Sequence, residues 1–265
     1  MKLKNALSTL ILGLSFTVCS STFASSDTIN NESVTQENIQ EKIDYGYEKI
    51  LLEEILEYEK NNPTLSSAEI DAYFLTLVEK YNRNNKDLDL LPEDDNEQKA
   101  SRANDTNFIY KIVGGTCGLN NLEQQLFNSS PTKGFKACVA GKEAQDYTIF
   151  KFGYNGHNDK TDAFRHAAWN IIMIGFTNDA AWTKRWTDAH EDGNPTQPIY
   201  EYNMDVNNNV QGIYKAQEAG ISDSSSLAVV RTAIDQLYKS GKLQYINPAN
   251  GIRAYFVGKN SDYIN

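Results

Sequence analysis

The chain has 265 residues, of which 40% are hydrophobic and 23% charged, and its formal net charge is −10. Because the chain is acidic, we expect no nucleic-acid partner. The acidity is uneven, because residues 25–105 hold 20 acidic against 8 basic side chains, whereas residues 106–265 hold 15 of each. This contrast predicts two regions of different character.

The first 24 residues have the layout of a secretory signal peptide. Lys2 and Lys4 precede an apolar run of about a dozen residues, and the small residues Thr22 and Ala24 suit a cleavage site. We therefore expect residues 1–24 to be removed and the protein to be exported, either to the periplasm or beyond the cell. The apolar run is too short to span a bilayer comfortably, and we expect no transmembrane segment.

Two cysteines, Cys117 and Cys138, remain after the signal peptide. In an oxidising compartment such a pair is most simply a disulfide, and closing a loop of about 20 residues would contribute roughly 3 kcal/mol. The alternative is two free thiols, and the spacing is much longer than that of a redox-active C-x-x-C pair. We predict a structural disulfide.

The acidic region is predicted to be a helical hairpin between two polar segments. Residues 25–36 are polar and predicted to be disordered, and residues 83–106 have the composition of a linker. Between them, apolar residues recur every three or four positions on both sides of Asn62-Pro63, which predicts two amphipathic helices over residues 37–82. Two helices make a thin core, so their apolar faces must pack on the C-terminal domain, on another copy or on a protein partner.

Residues 107–265 are long enough for one domain with its own core. The fold class is mainly α: a single helical C-terminal domain, with a short terminal strand, preceded by the acidic helical hairpin. The sequence has no glycine-rich phosphate loop and no G-x-S-x-G elbow, so it indicates neither nucleotide binding nor a serine hydrolase. The predicted helices cover residues 137–152, 161–177, 179–190, 204–218 and 225–240, and the strand lies around residues 252–257.

Side chains suited to a catalytic site are concentrated between residues 156 and 212. All three histidines of the chain fall in this stretch, at positions 157, 166 and 190. Asp162 and His166 are four residues apart, so they share a face of one predicted helix. On another predicted helix, a second polar stripe lies on a different face from the apolar residues. It consists of Asp205, Asn208, Asn209 and Gly212.

Three sequence motifs within this stretch resemble those of a known protein family. They read D-A-F-R-H-A-x-W at residues 162–169, H-E at residues 190–191 and M-D-x-x-N-N-x-x-G at residues 204–212. Together they resemble an uncharacterised bacterial family, a domain of unknown function, over roughly residues 107–240. The resemblance implies a helical domain found in exported or envelope-associated proteins, and it implies no particular activity.

Residue chemistry predicts a divalent-metal site, with zinc as an example. His166 and His190, with a carboxylate from Asp162, Glu191 or Asp205, would form the minimal ligand set of a catalytic metal with one position open to water. A metal-free site is the alternative, with His166 as the base, oriented by one of the aspartates. A structural alternative also stands, in which these groups form satisfied ion pairs and caps inside the core.

We predict three overlapping sets of site residues. The metal ligands are Asp162, His166, His190 and Asp205. The catalytic residues are His166, Glu191 as general base, Asp205, and Arg165 as a group that holds an anion. The substrate-binding residues are Asn208, Asn209 and Trp169, although the asparagines could instead brace a loop and the tryptophan could belong to the core.

The function predicted from these residues is that of an exported hydrolase, with metal assistance as one mechanism, acting on an envelope or extracellular substrate. One alternative is a non-catalytic envelope or interaction protein, in which the polar cluster is structural and the acidic N-terminal helices bind a protein partner. Another alternative is a secreted toxin or effector that uses the same site against a foreign target.

Overall fold

The computed structural model describes residues 36–84, 117–246 and 254–257. The predicted signal peptide, almost all of the polar segment after it and most of the predicted linker lie outside the described residues. Export and the domain limits therefore stay predictions. Among the described residues, no helix combines the length and apolar character that crossing a bilayer requires.

The described residues are mainly helical, as predicted, with eight helices and one pair of strands. Numbered in chain order, the helices are α1 (Gln36–Asn61), α2 (Ser67–Asn84), α3 (Asn121–Ser129), α4 (Pro131–Phe152), α5 (Lys160–Thr177), α6 (Ala180–Asp192), α7 (Ile199–Glu218) and α8 (Leu227–Lys239). The strands β1 (Leu243–Ile246) and β2 (Ala254–Val257) are antiparallel, with Leu243 opposite Val257. The predicted terminal strand is thus β2, and its partner β1 was not predicted.

Side-chain caps set where α5, α6 and α8 begin. Asp159 accepts hydrogen bonds from the backbone N–H groups of Thr161 and Asp162, and Asp179 and Ser226 accept at the other two helices. These caps satisfy N–H groups that have no partner within the helix. The predicted starts of these three helices lie within about two residues of the observed ones.

Two helices begin earlier than predicted, and α3 was not predicted at all. α4 begins at Pro131, in the first turn where proline is tolerated, and α7 begins directly after Pro198. α3 and α4 pack closely at Gly134, where a Cβ atom would lie 2.4 Å from the Phe127 ring. This glycine lies inside α4 and allows the contact, so it does not end the helix.

α5 is the central helix of the core. It is buried along most of its length and packs most extensively against α4 and α7. Its contact with α7 is close because Gly212 of α7 faces α5, and a Cβ atom there would lie 2.6 Å from the carbonyl oxygen of Ala167. The polar residues on the facing sides of α5 and α7 are thereby brought together.

The N-terminal helices pack on α4. The rings of Phe74 and Phe135 stack with their centroids 5.2 Å apart, and Lys136 forms an ion pair with Glu59. Leu51, together with neighbouring apolar residues of α1 and α2, belongs to the same core cluster as the later helices. We predicted three alternative surfaces against which these apolar faces could pack. In the structure they pack on the C-terminal domain.

Candidate functional site

Three ionisable side chains converge between α5 and α7. Asp162 and His166 come from successive turns of α5, and Asp205 comes from α7. His166 Nε2 lies 3.4 Å from Asp162 Oδ1 and 3.4 Å from Asp205 Oδ1. One ligand atom from each residue lies within 4.8 Å of the others, and all three residues are buried. We call this set the buried triad.

The outer oxygens of the two aspartates are held by hydrogen bonds. Asp162 Oδ2 accepts from the backbone N–H of Asn158 at 2.6 Å, and Asp205 Oδ2 accepts from Gln197 Nε2 at 2.7 Å. Asp205 Oδ1, in contrast, is a buried atom that has no hydrogen-bond donor among the described residues. A buried carboxylate oxygen without a donor costs free energy, which a bound cation would offset.

Two polar residues orient the ring of His166 from its other side. His166 Nδ1 lies 3.3 Å from Asn209 Oδ1 and 3.5 Å from Glu191 Oε1. Asn209 Nδ2 donates to Glu191 Oε1 at 2.8 Å, and Asn209 Oδ1 also accepts from Asn170 Nδ2. Since Asn209 Oδ1 accepts, His166 Nδ1 carries a hydrogen and Nε2 faces the two aspartates.

The electrostatics of the triad favour a positive charge between its members. Burial opposes ionisation of His166, but the charge of Asp205, supported by Asp162, raises the pKa of His166 to about 9. Burial, reinforced by Glu191 and Asp162, raises the pKa of Asp205 to about 6. Burial also acts to raise the pKa of Asp162, yet the hydrogen bond and charge of His166 hold that pKa well below its ordinary value.

Arg165 lies beside the triad rather than apart from it. Its guanidinium donates a short hydrogen bond to Asp162 Oδ1, and the same nitrogen lies 3.2 Å from His166 Nε2. About a quarter of the side chain is exposed and lines both cavities, whereas Nε is buried and has no hydrogen-bond partner among the described residues. The exposed part of the guanidinium is available to a ligand in the cavity, and the group also competes with any other cation for Asp162.

The triad lines a cavity of about 310 Å³. Most of the cavity wall is polar, and it includes a second histidine, His190, with Glu123 and Glu191. His157 lies at the rim, largely exposed, with Nδ1 3.5 Å from Asp162 Oδ2. A second cavity of about 440 Å³ adjoins the first and shares Gly118, Glu123, Arg165 and His190 with it.

His190 is not part of the triad, although we predicted it as a metal ligand. Its Nδ1 lies 2.8 Å from Glu123 Oε1, and its ring centroid is 6.4 Å from that of His166. The structure places it across the cavity, paired with a carboxylate that the sequence analysis did not single out. The spacing Asn120-x-x-Glu123, which is that of a capping box, was the available signal for Glu123.

Two predicted catalytic or substrate-binding residues have inward-facing roles. Glu191 is buried and accepts from Asn209, so its carboxylate is engaged in holding the site, where a general base was predicted. Asn209 is likewise buried and contacts His166, Asn170 and Glu191, and it lines neither cavity. Both residues contact His166, and of the two only Glu191 also lines the cavity of the triad.

Asn208 and Trp169, two further predicted substrate-binding residues, do not line the cavity of the triad. Asn208 is fully buried, and its amide exchanges two hydrogen bonds with the backbone of Gln244 in β1, at 2.8 and 2.9 Å. Trp169 donates from Nε1 to Ala137 O at 2.9 Å and presents only an edge to the second cavity. Asn208 therefore braces a strand, and Trp169 belongs mainly to the core.

The predicted disulfide is confirmed, since the sulfur atoms of Cys117 and Cys138 lie at disulfide distance. It joins the segment before α3 to α4 and forms part of the wall of the second cavity. In the same segment, the Asn120 side chain donates to the carbonyl oxygens of Ala189 and His190 at the end of α6. The disulfide and this cap together anchor α3 beside α6.

Comparison with protein families agrees with the resemblance drawn from the sequence. Residues 124–242 match the family model described as Domain of unknown function (DUF6973). The match contains the whole triad, Arg165 and His190. No curated protein matches the chain, and no solved structure does. The chemistry must therefore be argued from the geometry.

Proposed function

We propose that this protein is an exported hydrolase whose site holds one divalent metal ion at Asp162, His166 and Asp205. The observation that carries the proposal is the arrangement of three ligand atoms from three buried residues around one point on the cavity wall. One nitrogen and two oxygens form a donor set suited to zinc and similar ions, with the remaining positions open to water or substrate.

The spacing of the ligand atoms fits an ion. Two atoms bound to one tetrahedral zinc ion at 2.0–2.2 Å lie about 3.4 Å apart. His166 Nε2 has this separation from Asp162 Oδ1 and from Asp205 Oδ1. A direct hydrogen bond between the same groups would bring them closer, to about 2.7–2.9 Å. Both His166–carboxylate distances are thus longer than a short charge-assisted hydrogen bond and suit a shared cation.

The residues behind the ligands support the same function. A metal-binding histidine commonly donates its other ring hydrogen to a carboxylate or carbonyl, which fixes the ring. Asn209 and Glu191 supply this contact to His166 Nδ1. Gln197 and the backbone of Asn158 hold the outer oxygens of the two aspartates in the same way.

When bound, a divalent ion lowers the pKa of a coordinated water towards neutrality and polarises the group under attack. Arg165 lies at the mouth of the site and can bind an anionic group of the substrate or stabilise charge that develops on it. Burial of the triad excludes bulk water, which strengthens each of these interactions. An ester, amide or phosphoester of an envelope or extracellular molecule is the substrate class that fits the predicted export.

One observation favours a second candidate, a metal-free polar network. Arg165 already supplies a positive charge to Asp162, and the raised pKa of His166 makes it a second cation beside Asp205. In that case the same groups form a structural cluster, or an acid–base site without metal. A secreted toxin or effector stays an alternative within the first candidate. It would use the same hydrolytic chemistry against a foreign target.

Metal content distinguishes the two candidates. The mature protein, purified without chelator and incubated with zinc or manganese, should retain about one ion per chain by mass spectrometry. Asp205→Asn and His166→Ala should lose the ion while keeping the wild-type circular dichroism spectrum. Asp188→Asn is the matched control, because Asp188 is partly exposed on α6, away from both cavities, and forms an ion pair with Lys184. A wild type without metal under these conditions would overturn the proposal.

A further inference from the structure

Glu123 and His190 form a second arrangement of ionisable groups in the cavity that holds the triad. Glu123 is buried, its Oε1 lies 2.8 Å from His190 Nδ1, and its Oε2 accepts from the backbone N–H of Asn120 at 2.8 Å. Both carboxylate oxygens therefore act as acceptors. It follows that His190 Nδ1 carries a hydrogen and donates it to Glu123.

The other ring nitrogen of His190, Nε2, is not engaged by Glu123 and makes no hydrogen bond with any residue in the described part of the chain. The side chain is 38% exposed and lies on the wall of both cavities. The rings of Trp169 and His190 pack edge to face, with centroids 5.0 Å apart. His190 thus has one ring nitrogen held by Glu123 and a second, Nε2, that Glu123 leaves free, on a cavity wall that it shares with the triad.

The distance to the triad leaves room for a reacting group. The ring centroids of His166 and His190 are 6.4 Å apart. Glu191, the predicted general base, is buried and held by Asn209, as described above. His190 has the exposure that the buried Glu191 lacks, and a base oriented by a third group is the usual arrangement for proton transfer.

We propose that His190, positioned by Glu123, is the proton-transfer residue of this site. The inference rests on the proposed hydrolase function. As the oxygen of the attacking water forms a bond to the carbonyl carbon or phosphorus, its O–H bond breaks and the proton moves to His190 Nε2. The imidazolium then returns that proton to the leaving oxygen or nitrogen, which departs with the electron pair of the cleaved bond. His190 is the catalytic residue, and Glu123 is a positioning residue.

Carbethoxylation by diethyl pyrocarbonate tests the pair directly, because the reagent requires an unprotonated, accessible imidazole nitrogen. The full mature chain is treated in the presence of a chelator, and the rates at His157 and His190 are followed by peptide mass spectrometry. We expect His190 to react faster than His157, although His157 is the more exposed ring, with 74% of its side chain accessible. Glu123→Gln should lower the rate at His190 by roughly tenfold and leave the rate at His157 unchanged.

A rate at His190 that is no greater than that at His157, or that Glu123→Gln does not change, overturns the inference. If Glu123→Gln does not fold, the ring nitrogen spectrum of the 15N-labelled wild type decides, since only three histidines contribute. We expect the hydrogen of His190 on Nδ1, and its location on Nε2 alone would overturn the inference. Both measurements are independent of metal, so their failure is distinguishable from failure of the proposed function.

Hydrolytic activity provides a further test, with any probe that the wild type hydrolyses, such as p-nitrophenyl acetate or bis-p-nitrophenyl phosphate. His190→Gln should lower kcat by about 100-fold or more without changing the metal content, because removal of a general base costs this much. A variant with wild-type kcat would overturn the role of His190 while leaving the metal site intact.

Discussion

The buried triad and the Glu123–His190 pair face the same cavity, but different parts of the structure hold them. The triad comes from α5 and α7, whose backbones meet at Gly212. The pair comes from α3 and α6, which are joined by the Asn120 cap, and α3 follows a segment anchored by the disulfide. Helix packing should therefore control metal binding, whereas the cap and the cross-link should control proton transfer. Each can then be perturbed without the other.

The largest effect on stability should come from the disulfide. The double variant Cys117→Ser/Cys138→Ser should lose about 3 kcal/mol of unfolding free energy, because the cross-link restricts a loop of 21 residues in the unfolded chain. Guanidinium unfolding measures the loss. The variant should still bind one metal ion when folded, and loss of the ion would contradict the separation of the two regions.

The contact at Gly212 should be next in size. Gly212→Ala places a methyl group 2.6 Å from the carbonyl oxygen of Ala167, so α7 must move away from α5 at a cost of about 1–3 kcal/mol. Metal affinity should fall as well, since Asp205 moves with α7. Gly175→Ala is the control, because its added Cβ would meet two methyl groups at 3.6 Å and should be neutral or stabilising. Similar unfolding curves for the two variants would argue against close packing as the cause.

Adjacent asparagines allow a sharper test of the contacts behind His166. Asn209→Ala should weaken metal binding by about 10–100-fold, because it removes the acceptor that orients the imidazole. Asn208→Ala removes the two bonds to Gln244 and should lower stability by about 1–3 kcal/mol with little change in metal affinity. Calorimetric titration with zinc measures the affinities. Equal metal affinities in the two variants would contradict the assigned roles.

The smallest predicted change is a gain. Arg165→Gln should raise metal affinity on the order of tenfold, because the guanidinium competes for Asp162 and repels a nearby cation. Hydrolysis of an anionic probe such as bis-p-nitrophenyl phosphate should fall in the same variant. Lower metal affinity in Arg165→Gln would show that the guanidinium supports the ligands and does not compete with the ion.

Much of the fold was predictable because local signals mark it. The capping residues and the periodic apolar positions located α5, α6 and α8, and the spacing of Asp162 and His166 placed them on one face. The convergence with Asp205 could not be predicted, because it depends on how closely α5 and α7 approach, which Gly212 determines across the interface.

The partners of the candidate site were harder to predict for two reasons. Asn208 and Asn209 are neighbours on α7 and differ by about 100° around the helix, so one faces β1 and the other faces His166. No sequence pattern indicated β1. Glu123 lies on α3, a helix of nine residues, and it approaches His190 through a contact between residues 67 positions apart. Contacts of this kind appear only once the helices are placed.

A crystal structure of the zinc-incubated mature protein, with anomalous scattering recorded on both sides of the zinc edge, would locate the ion. We expect one strong anomalous peak at about 2.0–2.2 Å from His166 Nε2, Asp162 Oδ1 and Asp205 Oδ1, with the Arg165 guanidinium moved towards the cavity. Absence of a peak at the triad, or a peak held by Glu123 and His190 instead, would overturn the proposed metal site.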